Sequence, residues 1–282
     1  MPASHWVKID RALDHINALD SSIKAWRSDH PYAVREEDGP YIHEGTLMIN
    51  MTRTSLRLRI AKPYPPEWSA LIGDATHNLR SSLDHLAYAL NSKGYADANE
   101  GAHLPPGDAQ ASEFPVIGNV NAKGNPANGL DLFLSPRIQR KFATVPVGAR
   151  PIIEDVQPYK RGEKFVTDPL WLLHEFDRID KHRQLVVAAA ANSTINLRHI
   201  EIEGVWEWGL GKSGPLDDGD ELAYWALAPG DPDAKAHHDL DFTFDVAFGK
   251  GMPAAGRPVV QTLRDLRDYV RFKVTFRLDK FC

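Results

Sequence analysis

Between Asp74 and Tyr88 the chain sets two histidines, two aspartates, an asparagine and an arginine, with no lysine or glutamate among them. These are groups that donate, accept or titrate near neutral pH, rather than the Lys and Glu of an ordinary solvated helix face. One chemistry suited to them is metal-free cleavage of RNA by its own 2′-hydroxyl. That reaction needs a base, a group to neutralise the phosphate and an acid for the leaving oxygen. His85 is the candidate base or acid. Arg80 offers a planar fork to phosphate oxygens. Asp84 is placed to orient an imidazole, and these three are the candidate catalytic residues. His77 and Asn78 on the same polar side, with Asp180, His182 and Arg183 from a later block, are the candidate substrate-binding residues. In a straight helix Arg80 and His85 diverge by about 140°. They converge only through long side chains, a distortion or a second subunit.

The run Arg80-Ser81-Ser82-Leu83-Asp84-His85 resembles the R-x4-6-H signature of the HEPN superfamily. The resemblance implies a metal-independent ribonuclease in a bacterial or phage defence or toxin setting, with RNA as substrate, often acting as a homodimer. The words HNLRSSLDHLAYAL and LLHEFDRIDKHRQL also resemble a recurrent, uncharacterised bacterial family that pairs two such blocks.

Other chemistries find less support. His77 and His85 are eight residues apart, as are His174 and His182. Eight residues rise about 12 Å along a helix, so neither pair chelates one ion unaided. No HExxH, GxSxG or phosphate-loop spacing occurs. No metal and no cofactor is expected. Two further readings stay open: a ligand-binding protein without catalysis, and a structural protein whose polar residues knit two helices together. In the second, Arg80 pairs with Asp84 at i,i+4 or with Asp180.

The elements that would position these groups follow from periodicity. Glu67 to Lys93 reads as the central helix. Ile72, Ala75, Leu79, Leu83, Leu86, Ala87 and Leu90 share a stripe about 120° wide. Pro65 and Pro66 precede it, and Gly94 reads as its stop. Ser4 to Trp26 reads as a first helix, capped by Ser4, with Ile9, Leu13, Ile16, Leu19 and Ile23 inward. A third begins after Asp168 as N-cap and runs as PLWLLHEFDRIDKHR, with Leu172, Leu173, Phe176 and Ile179 inward. A fourth covers Pro258 to about Arg277.

Strands are expected at Tyr32 to Arg35, turned by Asp38-Gly39-Pro40, and at Leu47 to Ile60, with a bulge near Thr52 to Ser55 to absorb a change of parity. Further strands are expected around Ile195 to Ile202, Glu221 to Ala228 and Asp239 to Phe248. Arg53, Arg57 and Arg59 share one polar face, either a phosphate-facing strip or a solvated one.

The fold class expected is α+β: long amphipathic helices packed together and against an antiparallel β-sheet. A single domain over 1–282 is expected, with an irregular insertion at 94–130 and a β-rich half at 185–250. A formal charge of −5 argues against nucleic-acid binding through bulk charge. No apolar run reaches the roughly 20 residues of a membrane helix, so no membrane partner is expected. Without a visible signal segment, and with Cys282 the sole cysteine, a cytoplasmic location is expected.

Overall fold

The computed structural model describes residues 3–191, 200–203, 205–212, 214–227, 235–238 and 244–282. The fold is α+β. Where the sequence suggested one domain, the chain forms two compact units, each assembled from separated segments. The first comprises Met1–Ser21, Pro66–Leu185 and Val260–Cys282; the second comprises Ser22–Pro65 and Val186–Val259. Among the described residues no helix is long and apolar enough to cross a membrane.

The first unit is helical. Helix α1 is Ser4–Arg27, its last turns from Ser22 belonging to the second unit, and helix α2 is Glu67–Ala98. Four short helices follow: α3 (Pro106–Ala111), α4 (Gly129–Leu134), α5 (Pro136–Gln139) and α6 (Arg150–Asp155). Helix α7 is Pro169–Asp180, and α8 (Val259–Asp268) runs into a π-helical stretch, Tyr269–Thr275.

The predicted stripe of α2 is the core: all seven of its residues are at most 2 % exposed. Burying a Leu or Ile side chain contributes about 1.5–3 kcal/mol, so this stripe suffices to seat the helix. Ile9, Ile16, Leu19 and Ile23 of α1 are buried, while Leu13 is only half-buried. Val259, Leu263, Leu266, Val270 and Val274 are buried as their spacing predicts.

Three helix ends differ from expectation. Ser4 is already inside α1, and the carbonyl of Ala3 accepts from Trp6 and Val7. Helix α2 runs through Gly94 to Ala98. There Gly94 is no stop signal; it admits the backbone of Thr144, whose carbonyl oxygen would collide with any β-carbon. Helix α7 is capped by Asp168, whose carboxylate accepts from the Leu170 amide at 2.9 Å, but it ends at Asp180. His182 and Arg183 therefore lie beyond it and are exposed.

The second unit is antiparallel β. Strand β1 is Tyr32–His43 and β2 is Thr46–Ile60, joined at Glu44 and Gly45, both with positive φ. Strand β1 runs through Asp38-Gly39-Pro40 without turning. The change of parity falls earlier in β2 than expected. Pro40 pairs with Thr52 but Ile42 with Leu47, so residues 48–51 bulge opposite Tyr41. The remaining strands are β3 (Val187–Ala191), β4 (Ile200–Glu203), β5 (Val205–Leu210), β6 (Pro215–Leu216), β7 (Glu221–Leu227), β8 (Lys235–His238) and β9 (Phe244–Phe248). They order as β1-β2-β7-β5, β6-β3-β9 and β4-β8. Leu56, Leu58, Leu216, Leu222, Trp225 and Phe244 form the unit's core. The strand positions expected at Ile195, Leu197, Leu240 and Phe242 lie outside the described residues.

Candidate functional site

Arg80, the candidate phosphate-binding residue of α2, is buried, at 6 % exposure. A buried guanidinium must be compensated, and its Nη2 is compensated three times. It donates to the Phe114 carbonyl at 2.9 Å and to Glu113 Oε1 at 3.2 Å, and lies 3.1 Å from Asp84 Oδ1. Asp84, one turn on, accepts from the Phe114 amide at 3.0 Å. The i,i+4 pair thus holds both backbone groups of Phe114, a fully buried side chain. Nη1 of Arg80 is buried and, among the described residues, has no hydrogen-bond partner. A buried donor in that state costs about 1–3 kcal/mol, more for a charged group.

The chain beyond Phe114 is pinned by a second buried polar residue. Gln157, 1 % exposed, accepts from the Ile117 amide at 3.0 Å and donates to the Pro115 carbonyl at 3.0 Å. So held, residues of the predicted 94–130 insertion form a wall. Behind it is a cavity of about 330 Å³, whose lining includes Arg80, Arg137, Lys141, Ile117, Trp171 and His174. A smaller one, of about 240 Å³, is lined by His77, Ser81, Asp84, Asp177, Arg178 and Lys181 together with Arg80, Glu113 and His174. Arg80, Glu113 and His174 line both, so the two cavities share that wall.

Charge in this region is balanced with care. Glu113 is also bound by Lys141. Burial pushes its carboxyl up, but the hydrogen bond and charge of Lys141, with the charge of Arg80, hold it below the usual carboxylate range. Asp84 is pushed up, chiefly by burial, against the opposing pull of Arg80 and the Phe114 amide. His174 is pushed down by burial and by the Arg80 charge, which favours the neutral imidazole at neutral pH.

The candidate residues do not all gather here. Arg80 and Asp84 do. His85 lines neither cavity; burial and the Lys8 charge push its imidazole down, and the groups facing it are Lys8, Asp84 and His5. This divergence is what a straight helix dictates for residues five apart. Asn78 also faces α1, where Lys8 donates to it at 3.3 Å, and it donates to the Asp74 carbonyl. Asp180 packs against Gly73, where a β-carbon would collide with its carboxylate, and burial with the charges of Asp177 and Asp74 pushes it up. Arg183 lies with Asp180 and Gln184 around a different hollow.

His77 does belong. Its Nδ1 lies 3.1 Å from Asp177 Oδ1, and Lys181 donates to the other oxygen at 2.6 Å. Asp177 is buried, at 5 % exposure. Sequence reasoning missed Glu113, Lys141 and Gln157, which carry no local motif. It noted His174 only as a metal candidate; its place in the polar block before Asp177 was the available signal. Among the described residues no group of three His, Cys, Asp or Glu side chains is placed to hold a metal ion.

The Arg53, Arg57 and Arg59 strip of β2 is neutralised. Arg53 makes a two-pronged contact with Glu221 at 2.6 and 2.8 Å, Arg57 reaches Glu37 at 3.1 Å, and Arg59 pairs with Asp218.

Compared with known families, curated proteins and solved structures, the chain matches none.

Proposed function

We propose that the cleft beside α2 and α7 binds a small anionic ligand, with Arg80 as its recognition group. One observation carries this: Arg80 Nη1 is a buried cationic donor without a partner among the described residues, on a residue that lines two cavities. An anion accepting from Nη1 would relieve that cost in a desolvated setting, where charge-assisted bonds are strongest. Arg137 and Lys141 add positive charge to the larger cavity. The test is thermal unfolding in inorganic phosphate and in dimethyl phosphate. At 100 times Kd the wild type gains about 2.7 kcal/mol. Arg80→Met loses the response, and an equal response in Arg80→Met would defeat the reading.

A second reading is a metal-independent ribonuclease of the HEPN-like type. Arg80 favours it, because RNA presents the phosphate such a guanidinium would hold. His85, outside both cavities, is not its partner within one chain, so the reading depends on another proton-transfer group or on a second copy. It predicts RNA cleavage in EDTA that Arg80→Ala abolishes.

A further inference from the structure

The smaller cavity contains more than an anion site. Its lining joins two imidazoles, His77 from α2 and His174 from α7, to the guanidinium of Arg80. The histidines differ in how they are held. His77 is half exposed, and its Nδ1 is engaged by the buried Asp177 carboxylate, itself fixed by Lys181. That contact engages Nδ1, sets the ring's orientation and leaves Nε2 as the nitrogen available to a ligand. Among the described residues His174 has no such carboxylate contact, and it stands on the wall shared by both cavities, beside Arg80.

Formal charge narrows what this arrangement accepts. Around the smaller cavity Arg80, Arg178 and Lys181 are matched by Asp84, Glu113 and Asp177. A dianion would meet three carboxylates there with no surplus of positive charge. A monoanion suits it better. A phosphodiester is a monoanion.

We propose that His77 and His174 are an acid–base pair for metal-independent hydrolysis of a phosphodiester held by Arg80, with Asp177 as the positioning residue for His77. The proposal rests on the anion-binding reading above. In the step, a water oxygen bonds to phosphorus while one of its protons passes to neutral His174. The bond from phosphorus to the leaving oxygen breaks, and that oxygen takes a proton from the His77 imidazolium. Diester and water become monoester and alcohol, with no change of oxidation state. Afterwards His174 returns its proton to solvent and His77 regains one.

The probe is thymidylyl-(3′→5′)-thymidine in EDTA, a diester without a 2′-hydroxyl whose alkoxide leaving group needs the proton assigned to His77. Turnover is expected, and His77→Ala lowers kcat by about 10²–10⁴-fold with little change in KM. Added imidazole restores part of the activity of His77→Ala and none of Asp177→Asn, a difference that lost packing would not produce. His77→Gln, which keeps most of the side chain's bulk, falls with His77→Ala. No turnover, or a His77→Ala kcat within threefold of wild type, overturns the proposal. A stabilisation by the monoanion dimethyl phosphate that persists in a chain without turnover leaves the binding reading standing while this one falls. Absence of both removes the two together.

Discussion

Gly94 of α2 and Thr144 meet backbone to backbone, with the Thr144 carbonyl occupying the space a β-carbon on Gly94 would need. In an exposed helix, Gly→Ala stabilises by about 0.5–1 kcal/mol. Here overpacking costs about 1–3 kcal/mol, and the obstacle is backbone rather than a movable side chain. Gly94→Ala is therefore expected to lower stability in urea unfolding. Gly107→Ala is the control: nothing lies within 4 Å of a β-carbon at Gly107 in α3, so it is expected to be neutral or mildly stabilising.

Asp84→Asn keeps an oxygen for the Phe114 amide but removes a charge that burial disfavours. With the folded carboxyl raised above its unfolded value of about 3.8, the wild type carries a penalty at neutral pH. That penalty fades as pH falls through the folded value, because the folded state binds the extra proton. Asp84→Asn should thus gain more stability relative to wild type at pH 7 than at pH 4. Denaturant midpoints at the two values check it, and a difference of the opposite sign would contradict the burial argument.

His174 shows the reverse dependence. Its folded value lies below the ordinary 6.5, so the unfolded chain binds more protons in the window beneath 6.5. Stability is then fully present above that value and is lost as pH falls through the window. The groups facing His174 are Arg80, which lowers it further, and Glu175, Asp177 and Glu113, which oppose the shift. His174→Gln should flatten the loss between pH 7.5 and 5.5 in chemical denaturation. His85, also lowered by burial, should contribute a separate share, removed by His85→Gln.

The arginine face of β2 is expected to bind no nucleic acid. Arg53 is committed to Glu221, and its guanidinium lies 4.0 Å from the centre of the Tyr224 ring. Arg53→Ala, Arg57→Ala and Arg59→Ala together should leave RNA retention at 150 mM salt unchanged. Each should reduce stability by no more than about 1 kcal/mol, the usual range for partly exposed pairs. Weakened RNA retention in the triple variant would show that the carboxylates do not screen the strip.

The α+β class, the core stripes of α1, α2 and α7, and the Asp168 cap were readable because they depend on local rules. A 3.6-residue period decides which side of a helix is apolar, and a capping carboxylate acts over two or three residues. Reading stopped where contacts are long in sequence. Gly94 carries the local mark of a helix end, yet a backbone 50 residues away makes it interior. Nothing near Arg80 announces that Glu113, Phe114 and Lys141 would close over it. The choice between His85 and His77 followed the same limit. Both stand on the polar side of α2, and only the packing of α7 brought Asp177 to one of them and left the other facing α1. Sequence determined the helices and their buried faces through short-range periodicity; which polar residues share a cavity was decided by tertiary packing, since that depends on distances no local pattern encodes.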